Sequence, residues 1–93
     1  MILSFACDDT RKIFEGEFVK TFGRDIQIAA RRKLAYLNEA VNLMDLRMPP
    51  GNRLEKLKGD RSGQFSIRVN DQYRLCFEWE AGNAAMVELV DYH

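Results

Sequence analysis

The chain has 93 residues, 46% of them apolar and 30% charged, and its formal net charge is zero. That length predicts a single domain over residues 1–93, and so short a chain buries only about 60–65% of its unfolded surface, which makes its stability marginal. The even charge argues against a uniformly basic nucleic-acid binder, no apolar run approaches the length of a membrane span, and nothing before Ala6 reads as a signal peptide.

In chain order, Ile2, Leu3 and Phe5 are apolar and β-prone and predict a short strand. Asp8, Asp9 and Thr10 are helix-capping types and open a short helix through Phe14 and Phe18, weakened at Glu15-Gly16-Glu17. Lys20 to Arg24 reads as a flexible loop. Asp25 then caps a main helix whose apolar face runs Ile26, Ala30, Leu34, Leu37, Val41 and Met44, the three-and-four spacing of an amphipathic helix. Met48-Pro49-Pro50-Gly51-Asn52 stops it.

Arg53 to Leu57 alternates and predicts a short strand, and Lys58 to Gly63 is rich in turn residues. Phe65 to Val69, Tyr73 to Trp79 and Ala85 to Val90 follow as three strand patterns, with turns at Asn70-Asp71 and Ala81-Gly82-Asn83. Alternation puts Arg74, Cys76 and Glu78 on one face, and Tyr73, Phe77 and Trp79 in phase with Leu75 as core. The sum is α+β: a short N-terminal strand, two helices, then an antiparallel meander with the helices packed on one face. The other face is left for a ligand, with Arg68 or Arg74 projecting there.

Charge is unevenly placed. From Arg47 to Arg74 there are seven basic residues against three acidic ones, and after Arg74 there are four acidic residues with no lysine or arginine. A local basic patch is what phosphate binding needs, and an even total can hide it. Arg53, Lys56, Arg61 and Arg68 read either as plain surface charges or, as a set, as RNA-backbone contacts. Cys7 and Cys76 read as reduced core thiols of an intracellular protein, and with one histidine they form no metal constellation. That histidine follows Asp91 and Tyr92, so carboxylate, phenol and imidazole stand side by side as proton-handling groups. On local grounds alone Lys58 is a solvated turn lysine, Arg74 pairs with Glu78 or Asp91 across the sheet, and Tyr92 covers the sheet edge.

Four blocks carry a resemblance. They are Leu57-Lys58-Gly59-Asp60-Arg61 with Gly63, Ser66-Ile67-Arg68-Val69, Tyr73-Arg74-Leu75-Cys76-Phe77, and Val90-Asp91-Tyr92-His93. In order and spacing they closely resemble HigB-type toxins of the RelE/ParE superfamily, among them the plasmid maintenance system killers. The segment from Arg47 through Pro49-Pro50-Gly51-Asn52-Arg53-Leu54 fits one HigB-like subgroup.

The resemblance covers essentially the whole chain. It implies a RelE-like fold and the toxin of a bacterial type II toxin–antitoxin pair, acting in the cytoplasm. It also implies cleavage of mRNA on the ribosome with no metal or other cofactor. The partners it implies are a HigA-like helix-turn-helix antitoxin, the ribosome and mRNA, with operator DNA reached only through the antitoxin and no membrane.

Its site residues carry over as Lys58 (charge or base), Arg74 (phosphate clamp), Asp91 (orienting group), Tyr92 (base stacking or proton donation) and His93 (acid or base). Glu55 stands where some members have a histidine three residues before the lysine. A carboxylate can act as base but repels phosphate, which predicts weaker activity. The alternatives are a ParE-like, non-catalytic inhibitor of a protein such as gyrase, and a weakly active toxin that works mainly with its antitoxin on its own operon. The leading reading makes three demands: Lys58, Arg74 and His93 converge on one concave face, His93 is needed for activity, and cleavage needs the ribosome.

Overall fold

The computed structural model describes residues 1–92. Among these residues three α-helices, α1 (Asp8–Phe14), α2 (Arg24–Glu39) and α3 (Leu43–Arg47), precede four strands, β1 (Glu55–Lys56), β2 (Gln64–Arg68), β3 (Tyr73–Glu80) and β4 (Asn83–Asp91). Short 3₁₀ turns occupy Pro50–Asn52 and Gly59–Arg61. The sheet is antiparallel throughout in the order β1-β2-β3-β4, so the predicted α+β meander is present.

The N-terminal segment forms isolated parallel bridges to β4 rather than a full strand, at Ile2 with Ala84 and Phe5 with Val87. Even so, it covers the outer edge of β4. Leu3 N–H donates to the Ala84 carbonyl at 2.7 Å and Ala6 N–H to that of Val87 at 3.0 Å.

α1 ends at Phe14, short of the expected Phe18, because Gly16 turns the chain at φ +92°. Its N-cap is Cys7. Asp8 and Asp9 sit inside the first turn, where the helix dipole favours negative charge. Thr10 does not cap either: it is fully buried, and its hydroxyl accepts from Leu89 N–H at 3.0 Å, fastening α1 to β4.

α2 starts from Gly23 rather than Asp25. The loop before it is anchored by the buried Gln27, whose amide accepts from Val19 N–H at 2.9 Å and donates to the carbonyls of Val19 and Phe22 at 2.6 and 2.7 Å. The long helix expected through Met44 is two helices. Asn42 and Asp45 form a reciprocal capping box that starts α3 afresh. Val41 and Met44, counted in the apolar face, are exposed.

The core lies between α1, α2 and one sheet face, where Ile13, Ala30, Leu34, Leu37, Ile67, Leu75, Phe77, Val87 and Leu89 pack together. Phe77 stacks with Phe65 and meets Trp79 edge-on, and Tyr73 meets Phe22 edge-on, so the expected core role of these rings holds. The β3–β4 turn takes positive φ at both Ala81 and Gly82, the two-residue geometry that matches strand twist. A side chain at Gly82 would come within 3.0 Å of the Val41 carbonyl. A bulge between Cys76 and Glu78, with Met86 at φ +54°, restores the alternation beyond it.

Candidate functional site

The strand register pairs Glu55 with Ser66, Ser66 with Cys76, Cys76 with Glu88, Arg68 with Arg74, and Arg74 with Val90. Directly paired residues point to the same side of a sheet. These residues therefore line the face away from the helices, as alternation predicted for Arg68, Arg74 and Cys76.

At one end of that face is a cleft of about 220 Å³ lined by Arg53, Glu55, Arg68, Asn70, Asp71, Arg74 and Tyr92. Among the described residues three larger hollows, about 510 Å³ beside the N-terminal segment, about 420 Å³ between α3 and β1 and about 290 Å³ beside Tyr36, Glu39 and Asp45, hold no such gathering of candidates.

Arg74 is the centre of the cleft and is only 8% exposed. A buried guanidinium needs acceptors for its donors. Nε donates to Ser66 Oγ at 2.7 Å, and Nη2 donates to the Arg53 carbonyl and, at 3.3 Å, to the Ser66 carbonyl. Nη1 faces Glu55 Oε1 at 4.0 Å. The acid beside Arg74 is thus Glu55, not the strand neighbour Glu78. Tyr92 lies against the same group, its ring centre 5.9 Å from the Arg74 guanidinium carbon, a cation–π distance. Arg68 is ion-paired with Asp71, whose own side chain is almost fully exposed. Among the described residues, three guanidinium groups and two carboxylates line one small cleft, an excess of positive charge suited to an anion.

The other predicted residues are distributed differently. Lys58 is exposed, precedes the 3₁₀ turn at Gly59 and does not line the cleft. Lys56 alternates to the opposite side and lines the hollow against α3 with Leu43, Met44 and Phe65. Arg61 is on the helix-free face but is engaged by Gln64 at 3.1 Å and Glu88 at 3.2 Å. Asp91 is registered with Tyr73 and accepts from Gln72 Nε2 at 3.0 Å. His93 lies outside the described residues.

Ser66, Asn70 and Asp71 join the site without having been anticipated. Asn70 accepts from the backbone N–H groups of Gln72 and Tyr73 and so shapes the β2–β3 turn. Ser66 shares alternation with Arg68, but nothing local signals that it receives Arg74. Cys76 is fully buried beneath this face. Burial pushes its thiol pKa up, with Glu88 adding to the shift and Arg61 and Arg74 opposing it.

Comparison with known proteins gives a consistent picture. Residues 3–93 match the family model of the HigB-like toxin, described as the RelE-like toxin of type II toxin–antitoxin system HigB. The chain is 54% identical over 68 residues to Toxin HigB-1 of Vibrio cholerae, covering 73% of this chain and 70% of that protein. It is 42% identical over 41 residues to Endoribonuclease HigB of Proteus vulgaris, covering 44% of this chain and 45% of that one. Among solved structures, the YoeB–YefM complex from Staphylococcus aureus matches with a TM-score of 0.59 at 18% identity, over 100% of this chain and 95% of that chain. At that identity the likeness speaks for the fold.

Proposed function

The chain belongs to the HigB-like family of RelE-like toxins of type II toxin–antitoxin systems, and from that premise we propose that it is a ribosome-dependent endoribonuclease that cuts mRNA and so stops translation. The observation that carries this reading is the cleft in which a buried, fully oriented arginine meets a carboxylate and an exposed aromatic ring. Each group answers a need of RNA cleavage by the substrate's own 2′-hydroxyl. The 2′-oxygen attacks the adjacent phosphorus, the 5′-oxygen leaves, and the products are a 2′,3′-cyclic phosphate and a 5′-hydroxyl. The nucleophile is part of the RNA, so the scheme calls on no metal to generate one.

Arg74 neutralises the charge that grows on the phosphorane. Its position is fixed in advance by Ser66 and the Arg53 carbonyl, so little reorganisation is needed as the charge develops. Glu55, beside Arg74, takes the 2′-hydroxyl proton. Tyr92 stacks on a base, and Arg53 and Arg68 hold flanking phosphates. His93 donates the proton to the leaving 5′-oxygen, with Asp91 orienting it, while Lys58, Lys56 and Arg61 contact ribosomal RNA. A cleft this small and a net charge of zero hold free RNA weakly, because affinity for RNA comes largely from phosphate neutralisation. The ribosomal A site would present the codon already in a near-attack geometry. A HigA-like helix-turn-helix antitoxin is the proposed partner, carrying the pair to operator DNA. Action on ribosomes places the chain in the cytoplasm; among the described residues no helix is long and apolar enough to cross a membrane.

The test is to incubate the pure protein with naked mRNA and with the same mRNA on programmed ribosomes, and to map the new 5′ ends. Cleavage on ribosomes alone is the expected result. Equal cleavage in both would make it a free ribonuclease. Absence of cleavage together with inhibited supercoiling would favour a ParE-like inhibitor of gyrase.

A further inference from the structure

The Arg53 carbonyl that receives Arg74 points at the cleft for an unusual reason. Arg53 is in the left-handed region at φ +45° and ψ +57°, a conformation that a residue with a side chain adopts only where its surroundings impose it. It directly follows the 3₁₀ turn Pro50–Asn52, and its N–H donates back to the Pro50 carbonyl at 3.2 Å. The turn is held by Asn52, a fully buried polar side chain. Asn52 Nδ2 donates to the Leu46 carbonyl at 3.1 Å, tying the turn to α3, and Oδ1 accepts from Lys33 Nζ, tying it to α2. Asn52 therefore has partners on both sides of its amide. Among the described residues no acid is paired with Lys33: its burial, with Arg32 and Arg68 nearby, lowers its pKa. A neutral amide oxygen is its acceptor.

We infer that Asn52 is a positioning residue for the cleft: clamped between Lys33 of α2 and the Leu46 carbonyl of α3, it holds Arg53 in the left-handed conformation whose carbonyl aims Arg74. The inference rests on the reading of Arg74 as the phosphate-binding group, and adds that its aim is set by backbone geometry rather than by a charge. Rotating Arg53 out of the left-handed region would turn its carbonyl away from Nη2 and leave one of that group's two N–H donors without its acceptor, with only the longer contact to the Ser66 carbonyl remaining. The guanidinium would then shift on a scale that matters for charge stabilisation, while the residues of the cleft remained chemically intact.

The test separates side chain from backbone by comparing three variants that all lack the Arg53 guanidinium. Arg53→Gly accepts the left-handed region without strain, Arg53→Ala less readily, and the β-branched Arg53→Val least. Turnover of mRNA on programmed ribosomes is expected to fall in the order Gly, Ala, Val, by about tenfold from first to last, with KM shared among the three. Asn52→Ala, which keeps the Arg53 side chain, is expected to lower kcat with KM nearly unchanged. In parallel, solvent exchange of the Arg74 Nε–H, followed by NMR in the free protein, is expected to speed up in the same order and in Asn52→Ala. That measurement needs no activity: if the wild-type protein cleaves nothing, the nuclease reading fails while the exchange rates still decide the cradle. If Arg53→Val does not fold, the Gly and Ala pair carries the comparison. Equal kcat and equal exchange in folded Gly and Ala variants would overturn the inference, as would Asn52→Ala with wild-type kcat and exchange.

Discussion

The two faces of the sheet are built from the same three long-paired strands, yet they do opposite work. On the helix side, Ile67, Leu75, Phe77 and Val87 are fully buried in an apolar cluster. On the other side the alternate residues Ser66, Arg74, Cys76 and Glu88 turn polar groups away from the helices, and all but Glu88 are buried there as well. Arg74 is nearly as inaccessible as the core leucines, but its burial is made tolerable by hydrogen bonds rather than by apolar contact. One face should therefore govern whether the chain folds and the other what it does once folded.

The sharpest way to break that division is Phe77→Ala. Its ring is fully buried between Phe65 and Trp79, and such a truncation destabilises by about 3–5 kcal/mol, a large part of the ~5–15 kcal/mol that holds a domain together. Urea unfolding should show a strongly lowered midpoint. A small change would mean that the apolar side is not the stabilising one.

Arg74→Lys probes the other face. Lysine keeps the charge but loses the fork that joins Ser66 and Arg53, so ribosome-bound mRNA cleavage should fall by about 10²–10³-fold. The fold should survive, because lysine keeps the charge within reach of the same acceptors, although each hydrogen bond lost from a charged donor is worth about 1.5–3 kcal/mol. Retained cleavage with a collapsed melting temperature would reverse the assignment of the faces.

Tyr92→Ala removes the exposed ring against Arg74. Loss of a base-stacking platform costs about 1–3 kcal/mol per base, expected as a raised KM on programmed ribosomes, while Tyr92→Phe keeps the ring and should bind nearly as wild type. If Phe and Ala behave alike, the phenol rather than the ring matters.

The smallest effect is expected at Cys76. Burial raises its pKa above the ordinary 9.0, so the folded chain keeps a proton that the unfolded chain releases. Stability is then unaffected below that ordinary value and falls as the pH rises through it toward the raised one. Cys76→Ala should flatten this alkaline loss when the midpoint of thermal unfolding is followed from neutral to high pH. An unchanged slope would show that the helix-free face is wetter than its burial suggests.

Alternation along Tyr73–Trp79 was enough to separate Phe77 and Trp79 from Arg74 and Cys76, because successive strand residues must point to opposite sides. Turn residues at Asn70-Asp71 and Ala81-Gly82 placed the hairpins, and the blocks around Lys58, Arg74 and Asp91 pointed to the family. The helix break before α3 was written locally as Asn42 and Asp45, but the continuing apolar spacing through Val41 and Met44 masked it. The gathering of Arg74 with the Arg53 carbonyl, 21 residues away, with Ser66 and with Tyr92 was settled only in three dimensions. Strand periodicity fixes the side of the sheet on which a residue lies, whereas its neighbours there depend on register, on the bulge at Cys76–Glu78 and on a left-handed turn held by a buried asparagine. These are long-range closures that carry no local signal, and they turn an ordinary strand arginine into the centre of a cleft.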